Sequence, residues 1–75
     1  MDMRQCWSHL AAAVIEAAVD DRRKAASELK ENPYDTDASY VMDETWRFFM
    51  SDWFETLLAM SGADVSAEEV RNAVR

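Results

Sequence analysis

Thr45 to Met60 reads TWRFFMSDWFETLLAM, and any fold of this chain has to be built around that stretch. It holds Trp46, Phe48, Phe49, Trp53 and Phe54, five of the eight aromatic residues in a chain of 75. Aromatic side chains bury the most apolar area per residue, so this segment is the hub that other elements must cover. Ser51-Asp52 interrupts the apolar run, and Asp52-x-x-Glu55 has the form of a helix-start capping pair. One helix therefore ends near Met50 and another begins at Ser51 or Asp52. Trp46, Phe49 and Met50 share one face of the first, and Trp53, Leu57 and Met60 one face of the second. Phe48 and Phe54 lie off those faces. They either meet another element of the core or stand exposed as apolar anchors for a binding partner.

A chain of this length forms one domain with a small core. Its hydrophobic fraction of 49% excludes general disorder. One Gly, one Pro and an abundance of Ala, Glu, Leu and Met favour helices, and no stretch alternates β-branched with polar residues. The expected fold class is all-α: a small helical bundle of two longer antiparallel helices followed by two short ones.

In order, Asp2 is the expected N-cap of a first helix from Met3 to about Lys30. Its inward stripe is Trp7, Leu10, Ala11, Val14, Ala18, Ala25 and Leu29, with a polar gap around Asp21 and Arg22. The small residues along it permit close approach of a neighbouring helix. Within Asp20-Asp21-Arg22-Arg23-Lys24, Asp20 and Lys24 are spaced for a helical ion pair. Asn32-Pro33 ends the helix. A loop of acids follows, with Thr36, Asp37 or Ser39 as N-cap of a second helix from about Ser39 to Met50. The third, Asp52 to Met60, stops at Ser61-Gly62, where the chain's one Gly suits a left-handed C′ position. Ser66-x-x-Glu69 is a capping box opening a last helix to about Val74, with Val65 and Val70 as its staple. Arg71 and Arg75 suit that helix's C-terminus through the dipole. Trp7, Val14, Trp46, Phe49, Met50, Trp53, Leu57 and Val70 are the expected core.

Several chemistries find no support. Cys6 is the sole cysteine, with His9 one helical step away but no orienting third group, so neither a nucleophile nor a zinc site is built. Asp35-x-Asp37 starts like a calcium loop but lacks the Gly at its sixth position and the closing Glu at its twelfth. Adjacent acids such as Asp43-Glu44 and Glu68-Glu69 point about 100° apart on a helix and cannot flank one bond. No enzyme and no cofactor are expected. Leu10 to Val19 is too short and carries Glu16, so neither a membrane span nor a signal peptide is expected, and the expected location is the cytoplasm.

The order of an aromatic helix, Ser-Asp, further aromatics, small-Gly-x-Asp and then Val-Arg is similar to that of a group of small phage and prophage proteins of unknown function. Here it is Trp46-Arg47-Phe48-Phe49-Met50-Ser51-Asp52-Trp53-Phe54, then Ser61-Gly62-Ala63-Asp64, then Glu69-Val70-Arg71. Val65-Ser66 stands where a Pro often opens the last helix of that group. The resemblance implies origin on a mobile element, with the host cytoplasm as the place of action, and brings no active site with it.

Fifteen acids against eight bases give a net charge of −7, which repels a phosphate backbone and suits a basic protein surface. The expected function is a non-enzymatic, acidic protein-binding module, most specifically an anti-CRISPR-like inhibitor of a nucleic-acid-binding host defence complex. Its candidate partner-binding residues are Asp35, Asp37, Asp43, Glu44, Phe48, Asp52, Phe54 and Glu55, the acids lining one side of the hairpin end. The partner is a protein with a basic surface, with no direct nucleic acid and no membrane. The alternatives are a small DNA-binding regulator, because Leu57 to Val74 resembles a helix-turn-helix in outline, and a phage structural or assembly accessory. A homodimer, or an apolar patch for a partner, is expected from the large side chains Tyr34, Tyr40, Phe48 and Phe54.

Overall fold

A computed structural model describes residues 3–75, with side chains from residue 6 onward. Its elements are α1 (Met3–Glu31), α2 (Thr36–Met50), α3 (Asp52–Ser61) and α4 (Ala67–Val74), and no strand occurs among the described residues. The expected all-α bundle, with the two longer helices first, is the observed one. Asp2, the expected first N-cap, lies outside the described residues.

The local signals explain where each element starts and stops. Asn32 accepts through its Oδ1 from the Tyr34 backbone N–H at 3.2 Å, which turns the chain at Pro33. Asp35 then caps α2, its carboxylate accepting from the Ala38 N–H at 3.1 Å. The second helix thus begins at Thr36, three residues before Ser39, and Asp35 takes the cap expected of Thr36, Asp37 or Ser39. Ser51 ends one helix and starts the next. Its hydroxyl donates to the Phe48 carbonyl at 2.6 Å and accepts from the Phe54 N–H at 3.2 Å. Gly62 closes α3 at φ 74°, a left-handed conformation that a side chain would strain. Ser66 caps α4 by accepting from the Glu69 N–H at 3.1 Å.

Cross-links show how the helices run. Ser8 on α1 donates to the Ser61 carbonyl at the end of α3, at 2.9 Å. Arg22, four turns further along α1, donates to the Met42 carbonyl of α2 at 2.9 Å. The partner number falls as the α1 number rises, so α2 and α3 together form one return arm, antiparallel to α1 and broken at Ser51. The 29 residues of α1 make a rod about 43 Å long, close to the molecule's 46 Å longest dimension. α4 folds back across the break.

That break is the centre of the core. Phe48, Phe49 and Phe54 form a three-ring cluster, with centroids 5.2, 5.6 and 5.0 Å apart and every pair edge-to-face. Phe49 and Phe54 are fully buried, with Leu58 beside them. Ile15, Ala18 and Val19 of α1 close one side of the cluster, and Ala67, Val70 and Val74 of α4 another. Phe49 and Leu57 are buried as expected, and Trp46 and Val70 are half-buried. Trp7, Val14, Met50 and Trp53 are exposed, contrary to expectation. The reason is the closeness of the arms. Apart from Leu57, the buried positions away from the break are small: Ala11 and Ala25 on α1, Ala38 and Thr45 on α2. A gap set by alanines has no room for an indole. Rings fit only at Ser51, where the arm bends and α4 supplies a third wall. Phe54 is therefore core and Phe48 is half-buried in it, so neither is a free anchor for a partner.

Truncation should follow this geometry. Phe49→Ala or Phe54→Ala is expected to lower the unfolding free energy by about 3–5 kcal/mol, and Met50→Ala by less than about 1 kcal/mol, in urea denaturation monitored by circular dichroism.

Candidate functional site

The expected site is a set of carboxylates, and the structure spreads it along the outer side of the return arm. Asp37, Asp43, Glu44 and Asp52 are all exposed. Asp37 and Glu44, seven residues apart, lie on one row of α2 about 10.5 Å apart along the axis. Asp43 stands about 100° away around the helix, and Asp52 begins α3 beyond the break. The acids form a strip along the arm rather than a cluster at the hairpin end. Asp35 is half-buried and occupied as the α2 cap. Glu55 meets Arg71 at 3.6 Å. Glu44 has Arg47 at 3.8 Å, with both side chains largely in solvent, where such a pair contributes little. Asp20 and Lys24 form no ion pair, since these two are the ion pairs among the described residues.

Two of the bases turn inward instead of balancing the strip. Arg22 donates from Nε to the Val74 carbonyl at 2.6 Å and from Nη1 to the Met42 carbonyl at 2.9 Å and Thr45 Oγ1 at 3.2 Å. Its guanidinium also lies 5.2 Å from the Trp46 ring centre, with Arg75 on that ring at 5.7 Å. Arg71 donates from Nε to the Phe49 carbonyl at 2.5 Å and lies 5.7 Å from the Phe54 ring centre. Each arginine therefore serves the C-terminal end of a helix other than its own: Arg22 of α1 serves α4, and Arg71 of α4 serves α2. Those ends carry unmet carbonyls and partial negative charge. Arg71 stands in the last turn of α4, as expected, and its guanidinium donates to the end of α2.

The sequence reading missed Arg22 as an interior residue. The signal was available, because Ala11, Ile15, Ala18, Arg22, Ala25 and Leu29 alternate spacings of four and three, with Arg22 squarely on the stripe. A charge at a core position of a small helical chain asks for carbonyl or carboxylate partners.

A hollow of about 300 Å³ lies between α1 and α4, lined by Val19, Arg22, Arg23, Met42, Val70 and Val74 among others. Among the described residues no three His, Cys, Asp or Glu side chains gather into a metal-binding group, and no helix is long and apolar enough to cross a membrane. Cys6 is an exposed free thiol.

No protein-family model matches the chain, and no curated protein or solved structure is significantly similar to it.

Arg22→Leu is expected to destabilise the fold by about 2–3 kcal/mol, because carbonyls on two helices lose their donor in a partly buried site. Arg22→Lys should recover less than half of that, since an ammonium cannot reproduce the guanidinium fork. Chemical denaturation of the two variants checks both numbers.

Proposed function

We propose that the chain is a non-catalytic protein-binding module that occupies a basic, nucleic-acid-binding surface on a partner protein. In its most specific form it is an anti-CRISPR-like inhibitor of a host defence complex, carried by a phage and acting in the host cytoplasm. The observation that supports this reading is the charge segregation of the return arm. Asp37, Asp43, Glu44 and Asp52 face solvent on the outer side of the arm, while Arg22 and Arg71 are drawn inward by backbone carbonyls.

Carboxylates held on helices compete with phosphates for the same Arg and Lys side chains. A strip fixed by helix geometry loses little conformational freedom on docking. The long-range field of a chain at −7 speeds the encounter with a basic surface. The arm supplies this without any contact from Phe48 or Phe54, which belong to the core.

The DNA-binding alternative is weakened by the same arginine. A recognition helix reads bases with exposed Arg, Lys, Asn or Gln. In α4 the Arg71 side chain is held against Phe49 and Glu55, and Glu68 and Glu69 stand exposed at the helix start. Those two carboxylates would meet phosphates first.

Immobilised chain incubated with bacterial lysate should retain a nucleic-acid-binding protein, and bound nucleic acid should compete with the retention. Asp43→Lys combined with Glu44→Lys is expected to weaken that complex about tenfold or more at low salt, with the difference shrinking as salt rises. Equal affinity of the two forms at low salt, in a double variant that keeps its helical circular dichroism, would reject the phosphate-competition mechanism.

A further inference from the structure

α4 covers one flank of the α1–α3 pair and leaves the other bare. On α1 the α4 side is marked by Val19, Arg22 and Arg23, which share the hollow with Val70 and Val74. At about 100° per residue, Trp7, Leu10 and Val14 lie on the opposite flank of the buried Ala11–Ile15–Ala18 stripe. On α3, Phe54 and Leu58 pack toward α4, whereas Trp53 and Met60 lie on the opposite flank, beyond Leu57. The two bare flanks therefore belong to one face. All five of its large side chains are exposed, Trp7 at 53%, Leu10 at 55% and Trp53 at 58% among them.

The face is also free of charge. Four of the five side chains lie in residues 5–15 and 56–63, which contain no Asp, Glu, Lys or Arg, in a chain where 31% of residues are charged, and the fifth, Trp53, follows Asp52, which points about 100° away around α3. Further along α1 the same flank turns polar, with Asp21, Lys24 and Glu28 lining a shallow hollow beside Val41. The apolar area thus ends where α3 gives way to α2.

We propose that this face joins two copies of the chain into a twofold homodimer, α1 and α3 of one copy packing on α1 and α3 of the other. Charge and shape together favour a second copy as the occupant. A basic partner would find no carboxylate here, and an anionic lipid surface is repelled by a chain at −7. A second copy brings the same apolar, uncharged face.

The α1–α3 end is two helices thick, in a molecule whose shortest dimension is 16 Å. A two-helix layer has an apolar stripe left over, and doubling it makes a four-helix bundle with a closed core. The five side chains expose about 500 Å². With the uncharged surface around them, each copy approaches the roughly 800 Å² that a stable interface buries per partner. The α2 part of the acidic strip lies outside this face, so the dimer presents two copies of it.

Analytical ultracentrifugation of the full chain tests the interface. The wild type, at 8.6 kDa per copy, is expected to sediment as a dimer at about 100 µM and to dissociate on dilution. Leu10→Glu places two like charges in the interface and should raise the dissociation constant at least about 100-fold, with helical circular dichroism unchanged, since Leu10 is not a core residue. Trp7→Gln is a milder second variant and should raise it about tenfold. Glu44→Lys, outside the face, should leave the dimer intact. A wild type that stays monomeric at about 100 µM overturns the proposal, and with it leaves the face to an unrelated apolar partner. A Leu10→Glu variant that folds and still dimerises overturns it as well.

Discussion

Two guanidinium groups tie the helices of this fold together around the break in its return arm. The return arm breaks at Ser51, and a break exposes helix-end carbonyls next to the one region of the chain with room for aromatic rings. Arg71 reaches from α4 to the Phe49 carbonyl beside the break, and Arg22 reaches from α1 to the last carbonyl of α4. The two contacts close a loop of dependence: α1 holds α4, α4 holds the end of α2, and the three phenylalanines fill the space between. An eight-residue helix has little stability alone, so α4 exists because these donors and Val70 and Val74 fix it to the cluster.

The position of the hub divides the molecule into two unlike halves. Around Ser51 all four helices contribute to one apolar cluster. Toward the start of α1, only α3 lies alongside, and the large side chains on one flank stay in water. Toward the start of α2 the gap between arms is lined by alanines and the outer surface by acids. The surface divides in the same way, with exposed acids along α2, which we propose meet a basic partner, and exposed apolar side chains on α1 and α3, which we propose meet a second copy. Neither surface uses the residues that build the core.

What the sequence made legible was local. Asn32-Pro33, Ser51, Gly62 and Ser66 act within a turn of themselves, and the helix ends fall at those residues. The start of α2 is less legible, because the capping-type residues Asp35, Thr36, Asp37 and Ser39 stand within five positions of one another and Asp35, the first of them, takes the cap. Which flank of each helix is buried was less legible. Size points to Trp7, Trp46 and Trp53 as leaders of the core, but the closeness of the arms is a tertiary quantity, and the positions buried along them include the small Ala11, Ala25 and Ala38. It favours small residues along the arms and phenylalanine at the bend. The acids expected around one hairpin end became a strip for a related reason. α2 and α3 lie end to end, so residues 35 and 52 are separated by the length of a helix.

The central claim is that α4 and the broken arm form one cooperative unit through Arg22 and Arg71. Native-state amide hydrogen exchange tests it most directly. The amides of Arg71 and Val74 are predicted to open with nearly the same free energy as those of Leu57 and Leu58 in α3, and to lose that protection selectively when Arg22 is replaced. Exchange of the α4 amides several orders of magnitude faster than those of α3 in the wild type, as for a frayed terminal helix, would contradict the claim.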